Sequence, residues 1–381
     1  MNIKKSLFIV LIAINIMGCK NHRSREYFIS PVNNKKDILF DKIKLDSISI
    51  KHIESSYVGF IRIVSNSIYF IDQRFGWVFE FDKNGFFQKR YLGLGRGPEE
   101  INTKLIEGYL YLKDGRHIFL GVGNDCHIYK NNFMKDLSFM MDKRYKRAKL
   151  GKSEYRPDLP EIYTLAYEKL VLRNFGNSLF FTVVSEHPVF NFIRKPKEYF
   201  EDCRIIMKIN LSNGETEDLL GRYSSVYMDN DNLKQISLTN FDIDNNGMFY
   251  VNQEADSLIY VYNQDFVIKK SFGFKGKNIE MPKRILTTID DFRMHYREDR
   301  KDKGYYDWIE YIDETGLLFR SYKKGKNSTS DGLQVYKNDV LIADLDVHKD
   351  FRVAGYISPY YYSNVYINEV NETMIIYKFK L

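Results

Sequence analysis

YVYNQDFV, Tyr260–Val267, decides the fold because the chain repeats this pattern. The pattern is a strand-forming run of aromatic and β-branched residues, a polar turn and the start of another strand. Five further copies are FEFDKNGFF (Phe79–Phe87), HIYKNNFM (His127–Met134), MKINLSNGE (Met207–Glu215), QVYKNDVL (Gln334–Leu341) and IIYKFKL (Ile375–Leu381). A unit that recurs along a chain indicates a repeat architecture.

The spacing of the copies identifies the architecture. The last apolar residues before the turns are Phe81, Tyr129, Ile209, Tyr262, Tyr336 and Tyr377, which lie 48, 80, 53, 74 and 41 residues apart. Three intervals are close to the roughly 40–50 residues of one propeller blade, and two contain insertions. Most copies follow another apolar run, so each repeat reads as an antiparallel meander. We predict an all-β, six-bladed β-propeller of four-stranded antiparallel blades.

The two ends of the chain predict how the ring closes. The sixth repeat stops at Leu381 after its third strand, which leaves an unpaired edge. The segment Ile38–Ile53 precedes the first blade and has no local partner, so we expect it to complete the last blade. In the two long intervals, Pro188 and Pro196 predict a loop, and Ile285–Arg300 predicts a short helix that projects from the ring.

The N-terminus has the layout of a secretory signal. Lys4 and Lys5 precede the apolar run 7–14, which is too short to span a bilayer. The following Ile-Met-Gly-Cys resembles a bacterial lipobox, which implies lipidation of Cys19; an ordinary cleaved signal is the alternative. We therefore expect a signal peptide at 1–18, a polar tether at 19–36 and the propeller at 37–381.

Charge and cysteine content limit the partners and the chemistry. The formal charge is +7, and removal of Lys4 and Lys5 with the signal leaves +5, so we expect no nucleic acid partner. The basic run 143–147 predicts a solvated strand edge, or alternatively a contact with phosphate or lipid headgroups. Cys126 and Cys203 permit one disulfide at most, and we expect two buried thiols.

One stretch carries a family resemblance. GLGRGPEE, Gly93–Glu100, together with the preceding strands, resembles the six-bladed propeller lipoproteins of Bacteroidetes, a TolB-like and NHL-like group with a Gly-Arg-Gly-Pro-Gly-Glu signature. The resemblance is clear over Ile61–Ile101, although Glu99 replaces the usual glycine. It implies an outer-membrane lipoprotein of the cell envelope. Basic rather than acidic residues follow Cys19, which favours the periplasmic side.

Two sets of residues are candidates for ligand contact. Arg96, Glu99 and Glu100 lie in the glycine-rich loop and either reach the central channel or simply lock adjacent blades. Adjacent tyrosines form the second set: Tyr305, Tyr306, Tyr360, Tyr361 and Tyr362. They can stack on a sugar or peptide, or pack between blades.

No catalytic, cofactor or metal motif is present in the sequence. HExxH, Cys-x-x-Cys, Gly-x-Ser-x-Gly, the Walker loop and the Rossmann fingerprint are all absent. His117 and His127 fall in consecutive strands of one blade, where packing is favoured over metal ligation. The calcium-like pieces at 82–85 and 244–247 read as hairpin turns.

The sequence therefore favours a lipid-anchored periplasmic propeller that binds or scaffolds a protein, peptide or glycan. The alternative is an extracytoplasmic hydrolase or lyase with its site at the central channel, since a fold does not determine function. The residues that line the channel discriminate between them. The sequence leaves the ligand and the oligomeric state open.

Overall fold

Each of the six turn markers lies at or near the end of the third strand of a separate antiparallel sheet. The computed structural model describes residue 28 and residues 30–51, 53–141, 155–185 and 187–381. Their sheets form the predicted six-bladed propeller. The signal segment, Cys19 and the basic run 143–147 lie outside the described residues.

The strands are named in chain order, and two of them precede the ring: β1 (Lys35–Phe40) and β2 (Asp46–Lys51). Blade 1 consists of β3 (Gly59–Val64), β4 (Ser67–Asp72), β5 (Trp77–Phe81) and β6 (Phe87–Leu92). Blade 2 consists of β7 (Ile106–Tyr111), β8 (His117–Gly121), β9 (Asp125–Tyr129) and β10 (Lys135–Met140). Blade 3 contains β11 (Tyr163–Leu165), β12 (Leu172–Phe175), β13 (Ser178–Ser185), β14 (Ile206–Asn210) and β15 (Thr216–Leu220), with β11 and β12 both paired to β13.

Blade 4 consists of β16 (Thr239–Ile243), β17 (Phe249–Gln253), β18 (Ile259–Tyr262) and β19 (Ile268–Phe272). Blade 5 consists of β20 (Tyr305–Ile312), β21 (Leu317–Lys323), β22 (Asp331–Lys337) and β23 (Val340–Val347). Blade 6 consists of β24 (Val353–Ile357), β25 (Tyr360–Asn368) and β26 (Thr373–Phe379), completed by β2. The helices are α1 (Pro196–Asp202) and α2 (Ile289–Asp302), with short 3-10 turns at 160–162, 167–169, 225–227 and 231–236. Among the described residues, no helix has the length and apolar character to cross a membrane.

The ring closes as predicted, but through a shorter segment. β2 pairs antiparallel with β26 from Asp46 opposite Lys378 to Lys51 opposite Thr373. Residues 38–40, which were also expected in blade 6, instead belong to β1, which pairs in parallel with β23 of blade 5. The expectation failed there because β23 offers a free outer edge to the incoming chain.

Residues 30–36, expected within the tether, already pair with the ring. Val32 forms a parallel bridge with Ser271 of β19, and Asn33 N donates to Ser271 O at 2.9 Å. The segment that leads to β2 thus pairs with the outer strands of blades 4 and 5 before β2 itself forms the outer strand of blade 6.

The antiparallel order of each blade separates the connections onto two faces. We call the face on which the innermost strands begin the top face; it carries the loops between second and third strands and the connections between blades. Loop 93–105, segment 187–203 with α1, segment 221–238 and segment 273–304 with α2 all lie there. The repeated turns lie on the opposite face, where Asp82 and Asp244 cap tight hairpins as predicted.

The helix in the long fourth interval is confirmed, with different bounds and placement. α2 begins at Ile289 because Thr288 and Asp291 form a reciprocal capping box. It does not project from the ring: Asp299 is buried, and Arg300 bonds to Gln235 O and Glu254. The proline-containing insertion is a loop with one short helix, α1, which starts at Pro196.

Both cysteines of the folded body are buried and free, as expected. Cys126 lies in β9 of blade 2. Cys203 directly follows the end of α1. Burial raises the pKa of each thiol to about 12, so both behave as small apolar side chains.

Candidate ligand-binding cavity

A cavity of about 380 Å³ opens at the top face where the innermost strands begin. Five of the six blades line it, which places it at the centre of the ring. Its polar and aromatic lining includes Arg62, Gln73, Glu107, Trp308, Arg352 and Asn364. Pockets of this size suit small molecules.

Three arginines surround the ring of Trp308 in β20. The guanidinium carbons of Arg352, Arg173 and Arg62 lie 5.2, 5.6 and 6.0 Å from the ring centroid. Trp308 is 7% exposed, so these charges meet its face largely out of solvent. Arginine stacks well on indole because the ring face is electron-rich.

Two of these arginines are fully paired by protein carboxylates. Arg173 contacts Asp242 Oδ1 at 2.5 Å and Glu310 Oε2 at 2.8 Å. Arg352 binds both oxygens of Asp307, at 2.6 and 3.0 Å. These ion pairs, of which the Arg352–Asp307 pair is bidentate, compensate the cost of removing the charges from water.

Arg62 is different. Its side chain makes one hydrogen bond, from Nη1 to the carbonyl oxygen of Ile61 at 3.1 Å. Among the described residues no carboxylate lies within ion-pair distance of it. Burial, followed by repulsion from Arg173, lowers the pKa of Arg62 to about 10. Glu310 attracts this guanidinium only from beyond ion-pair distance, so among the described residues the half-buried cation has no carboxylate in direct contact.

A carboxyl group beside the cavity is also perturbed. Burial raises the pKa of Glu310 to about 7, against the attraction of Arg173 and with the repulsion of Asp242. Trp308 Nε1 donates to Glu310 Oε2 at 3.0 Å. Glu310 is therefore committed to protein partners and supports Trp308 and Arg173 rather than facing the cavity directly.

A second charge network joins the cavity to the top face. Lys169 lines the cavity and contacts Glu254 at 2.5 Å and Asp307 at 3.4 Å. Burial opposes ionisation of Glu254, but Arg300 and Lys169 hold its pKa below the usual range. The network connects blades 3, 4 and 5 with α2 around the mouth of the cavity.

Three polar side chains of the lining have unused hydrogen-bonding capacity. Glu107 of β7 is half-buried and has no hydrogen-bond donor among the described residues, and burial raises its pKa. Gln73 Nε2 donates to Ile106 O at 2.8 Å, which leaves its Oε1 available. Asn364 Oδ1 accepts from Arg352 N at 2.8 Å, which leaves its Nδ2 available.

The glycine-rich loop lies on the same face but does not line the cavity. Its Leu94 forms a parallel bridge with Ile101, and Glu100 Oε2 accepts from Gly97 N at 2.7 Å. Arg96, Glu99 and Glu100 are exposed. Arg96 and Glu100 form no ion pair with each other among the described contacts. The side chain of Glu100 instead shapes the loop through its hydrogen bond from Gly97 N.

The tyrosine candidates do not form one platform. Tyr305 and Tyr306 are buried near the top face, and the Tyr306 ring meets the Arg320 guanidinium at 3.4 Å. Tyr360 lies on the opposite face, where Lys378 and Lys380 approach its ring at 4.9 and 4.6 Å. Tyr361 and Tyr362 are buried.

The two histidines of blade 2 have separate partners. His127 contacts Asp125 Oδ2 and Ser138 Oγ, each at 2.9 Å. His117 Nδ1 lies 2.8 Å from the Tyr109 hydroxyl. Within the described ranges, no group of three or more His, Cys, Asp or Glu side chains could hold a metal ion.

Sequence reasoning missed the residues that line the cavity. Arg62 lies in GFIRIV and Glu107 in IEGYLY, both of which are innermost strands. A charged residue inside such an apolar run is a usable signal because charges are rarely buried without a partner. To use this signal, one must first know which strand of each repeat is innermost.

Comparisons with known proteins support the fold. No protein-family model and no curated protein matches this sequence. A solved member of the DUF4221 family from Bacteroides vulgatus superposes with a TM-score of 0.66 at 11% identity, over 89% of this chain and 98% of that one. At this identity the likeness shows a shared fold.

Two other solved structures are more distant. A Bacteroides fragilis protein thought to be exported has a TM-score of 0.49 at 12% identity and covers 93% of this chain and 99% of its own. A streptogramin B lyase has a TM-score of 0.44 at 10% identity and covers 89% of this chain and 87% of its own.

Proposed function

We propose that this protein is a ligand-binding propeller that holds an anionic group of a small polar ligand in its central cavity. The observation that carries the proposal is Arg62, a half-buried guanidinium that forms no ion pair with a carboxylate in the described part of the chain. A charge taken out of water is costly unless it is paired. An anionic ligand would supply the missing partner.

The chemistry of the lining fits a carboxylate. A guanidinium presents parallel N–H donors that match the two oxygens of a carboxylate. Asn364 Nδ2 adds a neutral donor from the adjacent blade 6. Trp308 lines the same cavity, and its aromatic ring would orient the body of the ligand.

The cellular setting completes the proposal. The signal-like N-terminus and the lipobox pattern at Cys19 support a lipid-anchored protein of the outer membrane that faces the periplasm. The Gly93–Glu100 loop supports kinship with the TolB-like and NHL-like propeller lipoproteins. In this setting the ligand would be a peptide, a glycan or an exposed part of a protein.

One observation favours the alternative of a hydrolase or lyase. Glu107 is a carboxyl group in the cavity whose pKa is raised by burial, a property that suits general acid–base catalysis. The described lining contains no histidine. Chromatography of each ligand after incubation with the protein distinguishes this alternative, since an enzyme would convert it.

Calorimetric titration of the full chain with N-acetylalanine and with its amide tests the proposal. These probes differ only in the carboxylate. We expect the acid to bind at least about tenfold more tightly than the amide, a difference of about 1.4 kcal/mol. Arg62→Gln should abolish that preference, whereas Arg297→Gln, an exposed arginine of α2 on the same face, should retain it. Equal binding of acid and amide, or an unchanged preference in Arg62→Gln, would overturn the proposal.

A further inference from the structure

The cavity has a second polar region beside Arg62. Glu107 belongs to β7, the innermost strand of blade 2, and Gln73 follows β4 of blade 1. Both line the cavity. The bond from Gln73 Nε2 to Ile106 O fixes the amide next to Glu107 and leaves Oε1 as an acceptor. This region therefore presents carboxylate and amide oxygens that lack donors among the described residues.

The backbone separates this acceptor region from the cation. Arg62 is the fourth residue of β3, whereas Glu107 is the second residue of β7, and both of these innermost strands begin at the top face. The difference of two positions corresponds to about 7 Å, which places Glu107 nearer the top face. The cavity thus presents the Arg62 cation deeper than the Glu107 carboxylate, while Asn364, which bonds to the Arg352 backbone just before β24, lies near the mouth.

We infer, resting on the function proposed above, that the ligand is a zwitterion of the size of an α-amino acid or a dipeptide. Its carboxylate binds Arg62, and its ammonium binds Glu107 and Gln73 Oε1. This arrangement gives each unpaired charge of the cavity a counterion from a single molecule. It also limits the length of the ligand, because both ends must fit within about 380 Å³.

The acceptor region favours an ammonium over a hydroxyl group. A hydroxyl of a sugar acid would give Glu107 one hydrogen bond but leave its charge unbalanced. An ammonium provides three donors and a full positive charge, which suits two oxygen acceptors together. Burial raises the pKa of Glu107, and no described cation offsets this effect.

Calorimetric titration of the full chain with dialanine and with N-acetyldialanine tests the inference. Acetylation removes the ammonium and leaves the carboxylate. We expect dialanine to bind at least about tenfold more tightly at pH 7, a difference of about 1.4 kcal/mol. Glu107→Gln should reduce that preference to less than about twofold and should not weaken the binding of N-acetyldialanine, because the change also removes a negative charge near the bound carboxylate. Glu369→Gln removes an exposed carboxylate on the same face and should behave as the wild type.

The outcomes separate this inference from the proposed function. If dialanine and N-acetyldialanine bind equally and both more tightly than N-acetyldialanine amide, the zwitterion is excluded and anion binding stands. If the acids and the amide bind alike, anion binding itself fails. Thermal melting curves establish that Glu107→Gln is folded; should it unfold, Glu107→Asp replaces it and must weaken the preference for the free ammonium.

Discussion

Glu254 accepts two hydrogen bonds from Arg300, each 2.7 Å long, although its side chain is completely buried. Arg300 belongs to α2, whereas Glu254 directly follows β17 of blade 4. Lys169, in the turn before β12, donates to the same carboxylate at 2.5 Å, and Leu238 N donates at 3.0 Å. One carboxylate therefore fixes the inserted helix to the ring at the mouth of the cavity.

Replacement of this carboxylate by an amide should destabilise the protein strongly. In Glu254→Gln, Arg300 and Lys169 remain buried but lose their anion, which typically costs about 3–5 kcal/mol. Urea unfolding followed by circular dichroism measures the loss. The matched control is Glu54→Gln, which breaks an exposed pair with Arg90 and should cost less than about 1 kcal/mol. Equal effects of the two changes would show that the buried network contributes little.

Closure of the ring should depend on the buried face of β2. Ile48 is 5% exposed and packs against the turn at Gly85 of blade 1, as well as pairing with β26. Ile48→Ala removes this packing, and we expect a loss of about 2–5 kcal/mol in the free energy of unfolding. Ile38→Ala in β1, where the side chain is 42% exposed, should cost less than about 1 kcal/mol. A larger effect at Ile38 would mean that β1, rather than β2, holds the ring closed.

The period of the repeat is the reason that the fold could be predicted. Each marker, such as Phe81 or Tyr262, lies at or near the end of the third strand of its blade, so the spacing alone defines six modules. The missing fourth strand of the last module then requires a partner, and β2 supplies it. β1 could not be predicted, because in KKDILF every residue but the last is exposed and no alternation of apolar residues marks a buried face.

The cavity could not be predicted for a different reason. Arg62 and Glu107 are 45 positions apart in the sequence and line the same cavity only because the ring brings the innermost strands of blades 1 and 2 side by side. The sequence instead drew attention to Gly93–Glu100, where glycines and a proline produce a recognisable motif. In the structure that motif shapes the connection between blades 1 and 2, since Leu94 pairs with Ile101.

Protonation of His117 should weaken the protein in acid. Burial lowers the pKa of this imidazole to about 4, compared with about 6.5 in the unfolded chain, so the folded protein favours the neutral ring. Its contribution to stability is therefore complete above pH 6.5 and is lost as the pH falls through 4, by about 3 kcal/mol in total. The check is the free energy of unfolding of wild type and His117→Phe between pH 7 and pH 4. The difference between the two proteins should shift toward the variant in acid; a constant difference would show that His117 titrates normally.

The conformation of the glycine-rich loop should depend on the side chain of Glu100. A Cβ at position 95 would lie 2.0 Å from Glu100 Oε2, so Gly95→Ala must displace the carboxylate that accepts from Gly97 N. We expect a loss of about 1 kcal/mol and faster hydrogen exchange at the Gly97 amide. Glu100→Ala should accelerate the same amide equally, and the double variant should add nothing, because both changes remove one hydrogen bond. Glu99→Ala, at an exposed neighbour, should leave that exchange rate unchanged. Additive effects of Gly95→Ala and Glu100→Ala would mean that the glycine is needed for its backbone conformation rather than for the space that Glu100 occupies.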